Sequence, residues 1–187
     1  MFTNGYKNFV LKREFFDNES PKHGINHTYR VMYHVLNIGQ LAGMNHEIKT
    51  AFCAAFIHDM ARYHDSYCTE HGPRAARKKF PLFKNDFTNL GFCDDDLRAI
   101  KLAVSNHSVR HEIFTGHKHY KTVALLKDAD ALDRIRIGEN NLKIQYLRIP
   151  ESLQLVDFAK QLYYRTQFLT LHSFEEIVEI AKTIPAR

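Results

Sequence analysis

A His-Asp pair, His58-Asp59, closes the apolar run Ala51-Phe52-Cys53-Ala54-Ala55-Phe56-Ile57. The run reads as a helix, a costly place for an unpaired imidazole and carboxylate. Buried polar groups need partners, and buried charges need a counter-ion or a metal. A neighbouring imidazole nitrogen and carboxylate oxygen can both ligate one divalent cation. Three more polar residues fall where a helical stripe predicts core: His27 at i−4 from Val31, His107 at i+3 from Val104, and Asp130 at i+4 from Leu126. A lone histidine on an apolar face is ordinarily a core imidazole bonded to backbone. An aspartate there is harder to dismiss, because its charge needs a partner. With His58-Asp59, these residues can converge on a mixed nitrogen and oxygen ligand set. It suits a first-row or hard divalent ion and lacks the thiolates of a structural zinc site.

A second cluster lies between these anchors: Arg62, His64 and Asp65, then Glu70-His71-Gly72-Pro73-Arg74. Arg62 is one helical turn from His58 and Asp65 three residues further, a spacing that allows an Arg62–Asp65 pair beside the site. Guanidinium forks match phosphate oxygens. Arg62 therefore reads either as a phosphate ligand or as an ordinary surface salt bridge. For Arg74 a solvated helix face is the favoured reading. His71 precedes a Gly-Pro helix start, where backbone N–H groups can face an anion. His23, His64 and His111 read as loop and surface residues, and His117 and His119 as part of an exposed loop. For Arg134 and Arg136, internal pairs with Asp133 and Glu139 are favoured over contact with a phosphate.

The elements that must position these groups are helical, since nearly every apolar stretch has helical period. Val31, Val35, Ile38 and Ala42 mark a helix over 26–42, which His27 extends by one turn. The apolar run belongs to a helix over 46–61, with Asn45 as N-cap. Pro73 opens a third helix through Arg77 that stops before Pro81. Asp94-Asp95-Asp96 opens a fourth, whose stripe of Leu97, Ile100 and Val104 continues to His107. A fifth covers about 122–135, and a long amphipathic helix covers 151–171. Ser173-Phe174-Glu175-Glu176 forms a capping box for the last, with Ile177, Ile180, Ala181 and Ile184 on its core face. The first 19 residues are expected to be weakly helical. No alternating pattern competes, so the expectation is an all-α, single-domain helical bundle over 1–187.

Composition agrees with a compact domain: 44% of 187 residues are apolar, with only 8 Gly and 5 Pro. No apolar run approaches the roughly 18 residues of a membrane span. Met1-Phe2-Thr3-Asn4-Gly5 does not read as a signal peptide. Cys53, Cys68 and Cys93 are odd in number and lack C-x-x-C spacing, which fits a reducing cytoplasm. The net charge of +5 attracts anions, nucleotides among them. No aromatic-basic repeat marks a nucleic-acid reader, so nucleic-acid binding is the minor reading.

The order His27, His58-Asp59, Asp130, each in a helical context, resembles the H…HD…D signature of the HD-domain metal-dependent phosphohydrolases, over roughly residues 20–150. Ser20-Pro21-Lys22-His23-Gly24-Ile25-Asn26-His27-Thr28-Tyr29-Arg30-Val31 is similar to the opening helix of many HD proteins, where an Arg-Val pair follows the ligand histidine. Asp128-Ala129-Asp130-Ala131-Leu132-Asp133-Arg134 resembles the closing motif, whose second Asp is the usual ligand; Asp128 is the alternative to Asp130. Lys143-Ile144-Gln145-Tyr146-Leu147-Arg148 resembles a stretch that follows the motif in some bacterial HD proteins, without a role attached.

The resemblance implies a divalent ion (Mn, Mg, Fe, Co, Ni or Zn) on His27, His58, Asp59 and Asp130. In several HD subfamilies, histidines at positions resembling His71 and His107 bind a second metal or the phosphate. The implied reaction is hydrolysis of a phosphate ester or anhydride of a nucleotide or another small phosphorylated metabolite. Asp59, Asp65 or Asp128 would accept the proton, while Arg62, His71 and His107 offset phosphoryl charge. The alternative is an HD fold kept for ligand sensing or scaffolding without turnover. A homo-oligomer is left open.

Overall fold

A computed structural model describes residues 9–185. Among them every regular element is a helix: α1 (Ile25–Leu41), α2 (Asn45–Ile57), α3 (His71–Lys78), α4 (Phe80–Asn89), α5 (Asp94–Asn106), α6 (Tyr120–Leu132), α7 (Val156–Thr166) and α8 (Phe174–Lys182), joined by short 3-10 turns. The all-α expectation holds. The apolar run of α2 explains the layout, because a helix that is apolar all round must be covered all round. Every residue of α2 from Thr50 to Ile57 is buried. Three helices surround it: α1, α5 and α6 all pack on α2, and α1 also packs on α6. The stripe of α1 faces inward as its spacing predicts, with His27, Val31, Val35 and Ile38 fully buried.

Two glycines let helices approach closely enough to bring the polar side chains together. A Cβ on Gly39 would lie 2.2 Å from Ile48 Cγ1, so the Ile48 side chain of α2 packs directly on the α1 backbone. One on Gly72 would lie 2.6 Å from Ser108 Oγ and 2.7 Å from Val104 O, which sets α3 directly against α5. The phenylalanines seal the far end: the Phe52 ring meets Phe9 and Phe174 edge-on, each with centroids 5.1 Å apart.

Several element boundaries depart from the sequence expectation. Helix α2 ends at Ile57, not at 61, and His58-Asp59 sits in the turn just beyond it. That turn is closed by Met60 N donating to Ile57 O (3.0 Å) and Arg62 N to Asp59 O (3.1 Å). Asn45 is the first helical residue, and the N-cap position falls on Met44. Pro81 does not merely stop α3; it lies in the first turn of α4, a helix the sequence reading lacked. Helix α6 stops at Leu132 and continues as a 3-10 turn over Asp133–Ile137. The expected 151–171 helix begins as a 3-10 turn (Pro150–Leu155) and ends at Thr166.

Residues 9–11 are not helical; Phe9 and Leu11 are buried and Val10 is exposed. Leu11 N donates to the buried Tyr29 hydroxyl (3.0 Å), which ties this segment to α1. Residues 1–8 and 186–187 lie outside the described residues, including the Met1–Gly5 segment and the start of the expected weak helix. At the other end, Ser173 caps α8 by accepting from Glu176 N (3.4 Å). Glu176 reaches back to His172 N (3.1 Å).

Candidate metal centre

The turn after α2 carries Asp59 into the interior, where five imidazoles surround its carboxylate. Oδ2 lies 3.0 Å from His23 Nδ1, 3.3 Å from His27 Nε2 and 3.8 Å from His58 Nε2. Oδ1 lies 3.0 Å from His71 Nε2 and 3.7 Å from His107 Nε2. Asp130 completes the first side, with Oδ1 3.4 Å from His27 Nε2. The groups able to hold an ion are His27, His58 and Asp130; His58, Asp59 and His107; and His23, His27 and Asp59, all buried except the half-buried Asp130.

The ring protons decide what this cluster can do. His27 donates from Nδ1 to Asp133 Oδ2 (2.7 Å), and His58 from Nδ1 to Ala55 O (2.6 Å). With protons fixed there, the Nε2 lone pairs of both rings face each other at 3.1 Å. Two lone pairs at that distance need either one shared extra proton or a cation between them. Burial disfavours the proton: it pushes the His58 pKa down to about 3. Two donor atoms each about 2.1 Å from one ion lie about 3.0–3.4 Å apart. The separations His27–His58, His27–Asp59 and His27–Asp130 (3.1, 3.3 and 3.4 Å) match that spacing. The residues fit a divalent ion.

The second side is built similarly but is less committed. His107 donates from Nδ1 to Val104 O (2.8 Å), and its Nε2 lies 2.9 Å from His71 Nε2. His71 Nδ1 is 2.9 Å from Cys68 O and 2.8 Å from Arg62 Nη1. These two contacts require opposite tautomers. Donation to Cys68 O frees Nε2 as a ligand; accepting from Arg62 puts the proton on Nε2, facing Asp59. Burial holds the His71 and His23 pKa values below the usual imidazole value. Burial alone would raise the Asp59 pKa, but His58, His107 and His23 outweigh it and hold the carboxyl well below its ordinary value. For Asp130 the same burial is outweighed by Arg136, His27 and His58.

The outer groups differ from the sequence reading in instructive ways. Asp65 does not join the centre. It is exposed and accepts from Ser20 Oγ (2.6 Å), so the expected Arg62–Asp65 pair is replaced. Arg62 is buried, because its guanidinium turns inward to His71 and to Ser66 O (2.8 Å). Asp128 is fully buried and saturated: it accepts from Arg148 N, Ile149 N, Ser152 Oγ and Arg148 Nη1 at 2.8–3.1 Å. It therefore anchors 148–152, and Asp130 is the aspartate that reaches the imidazoles. Arg136 pairs with Asp130 (3.4 Å) and Asp133 (3.8 Å). Arg134 bonds Asn141 O (3.3 Å), while Glu139 accepts from Tyr164. The Arg74 guanidinium lies 3.7 Å over the Tyr63 ring, away from the carboxylate cluster. His64, His111 and His117 are exposed.

Three participants escaped the sequence reading. His23, whose position before the first helical stripe reads as loop, is buried against Asp59. Asp133 holds His27 Nδ1 and is itself gripped by Arg30, whose Nε and Nη2 donate at 2.6 and 3.0 Å. Arg30 is one turn from His27 on the buried face of α1, and a fully buried arginine implies a carboxylate beside it. A cleft of about 610 Å³ also reaches the centre, with His107 and Asp130 in its wall. No family model, curated protein or solved structure matches the chain. No helix among the described residues is long and apolar enough to cross a membrane.

Proposed function

We propose that this protein is a metal-dependent phosphohydrolase of the HD-domain type, acting on a nucleotide or another small phosphorylated metabolite. The observation that carries this reading is the pair of opposed Nε2 lone pairs of His27 and His58, flanked by Asp59 and Asp130 and reached by a cleft rich in cations. His27, His58, Asp59 and Asp130 would hold the first ion; Asp59, His71 and His107 a second. Such an ion supplies Lewis acidity, lowering the pKa of water and polarising a phosphoryl group.

The protein's own residues do the rest. Asp133 and Ala55 O fix the imidazole tautomers, so that the donor atoms need no reorganisation. Asp59 is the carboxylate nearest the reacting groups and the candidate proton acceptor. Neither Asp65, at the surface, nor Asp128, saturated by four donors, is free for that task. Cys68 O, accepting from His71 Nδ1, leaves the His71 Nε2 lone pair free for the second ion, and Arg136 steadies Asp130. The basic cleft favours an anionic substrate over a neutral one.

The test is metal analysis of the wild type beside His58→Ala and Asp130→Ala, with a nucleotidase and phosphatase panel on the same samples. Both variants are expected to lose bound metal and activity together. Full metal content and activity in both would overturn the assignment. A wild type that binds metal and hydrolyses no panel member would favour the ligand-sensing alternative.

A further inference from the structure

The cleft that reaches His107 and Asp130 carries more positive charge than one phosphate at a metal requires. Five basic side chains line it against two carboxylates, Glu112 and Asp130. Two of the five are committed. Lys127 donates to Glu112 (2.9 Å), and Arg148 is held by Glu112 (2.6 Å) and Asp128 (3.1 Å). The other three are Arg110, Arg134 and Lys143. Each is exposed, and none has a carboxylate partner among the described residues. They come from separate segments: the α5–α6 connection, the 3-10 turn after α6, and the stretch beyond it.

Isolated surface cations are ordinary, but three unpaired ones converging on a single concavity repel one another unless an anion is present. The same wall presents two aromatic rings to solvent, Tyr67 at 78% and Tyr146 at 66% exposure. Exposed rings beside unpaired cations form the surface on which nucleobases stack and phosphates pair. The volume, about 610 Å³, is that of a small-molecule site.

The geometry points to a substrate with two phosphoryl groups on one nucleoside. One lies at the His/Asp centre, the second on Arg110, Arg134 and Lys143, and the base lies against Tyr67 and Tyr146. This assignment rests on the phosphohydrolase reading for the role of the first phosphate, and it makes the three cations the determinants of specificity.

The test is calorimetric binding of adenosine 5′-monophosphate, adenosine 5′-diphosphate, adenosine 3′,5′-bisphosphate and pyrophosphate to the full chain. It is run on the protein as purified, at fixed ionic strength, with the titrated samples checked by chromatography for turnover. At least one two-phosphate nucleotide is expected to bind about tenfold or more tighter than the monophosphate. Which one binds tighter tells whether the second phosphate is adjacent or remote. The preference is expected to vanish in Arg110→Ala/Lys143→Ala and in the single charge reversal Lys143→Glu, all exposed positions whose melting curves should match the wild type. Equal affinity for the mono- and two-phosphate nucleotides, no binding at all, or a preference that survives both variants would overturn the proposal. Pyrophosphate binding as tightly as the nucleotides would overturn the stacking role of the tyrosines. None of these outcomes depends on the metal analysis of His58→Ala, so the two readings fail separately.

Discussion

Replacing Asp133 with Asn separates two roles that one carboxylate performs. Asp133 Oδ2 takes the Nδ1 proton of His27 at 2.7 Å, while both its oxygens grip the Arg30 guanidinium at 2.6 and 3.0 Å. Arg30 and His27 together overcome burial and hold the Asp133 carboxyl far below its usual pKa, so it is an anion throughout the working range. An asparagine offers one acceptor where three donors converge, and its own amide N–H groups then face other donors. Removing one partner of a buried pair costs about 3–5 kcal/mol. Losing the carboxylate behind a ligand histidine costs about 10–100-fold in metal affinity. Asp133→Asn should therefore show both losses, read by denaturant unfolding and by chelator competition. Adding Arg30→Met removes the stranded cation and should return much of the stability. It should not return the metal affinity, because His27 Nδ1 still lacks its carboxylate. Unchanged metal affinity in the single variant, or its recovery in the double, would refute the tautomer argument.

Two further expectations follow from groups outside the ligand set. Asp128→Ala strands the Arg148 and Ile149 amides, each at about 1–3 kcal/mol. It should lower stability by roughly 2–6 kcal/mol while leaving metal stoichiometry unchanged, measured on the same preparation. His34 is fully buried on α1 with neither ring nitrogen bonded, and burial lowers its pKa from 6.5 to about 4. The unfolded chain therefore takes up this proton from pH 6.5 downward, and the folded protein only below about 4. Stability should fall as pH drops through that window, by about 3 kcal/mol from this group. His34→Leu should lessen the slope by about one proton, and an unchanged slope would refute the assignment.

Much of this architecture was legible because helical period and burial coincide. The stripes of α1 and α5 and the all-round apolar α2 place His27, His58 and His107 on the interior from the sequence alone. Asp130 was legible for the same reason, since a carboxylate among apolar neighbours demands a partner. What escaped was non-local. His23 lies before α1, where no period marks its burial, and only the return of Asp59 from the end of α2 gives it a partner. Helical spacing sets Asp65 beside Arg62 and the site, but the helix has already ended and the chain carries Asp65 outward to Ser20. Helix α4 was missed because Pro81 was read as a stop, although proline suits a first turn equally well. Arg110, Arg134 and Lys143 carry no periodic signal, since they come from connections between helices.

The side chains of the His/Asp centre lie far apart along the chain: His27 and His58 are 31 positions apart, His71 and His107 are 36, and the Arg30–Asp133 pair behind them spans 103. An ion held there would bind the folded chain and not the unfolded one, because unfolding disperses these distant ligands. Because these contacts can form only after the bundle has assembled, occupancy would slow unfolding more than it speeds folding. The centre would then set the protein's lifetime as well as its chemistry, with chelation registering first as faster proteolysis of the native chain.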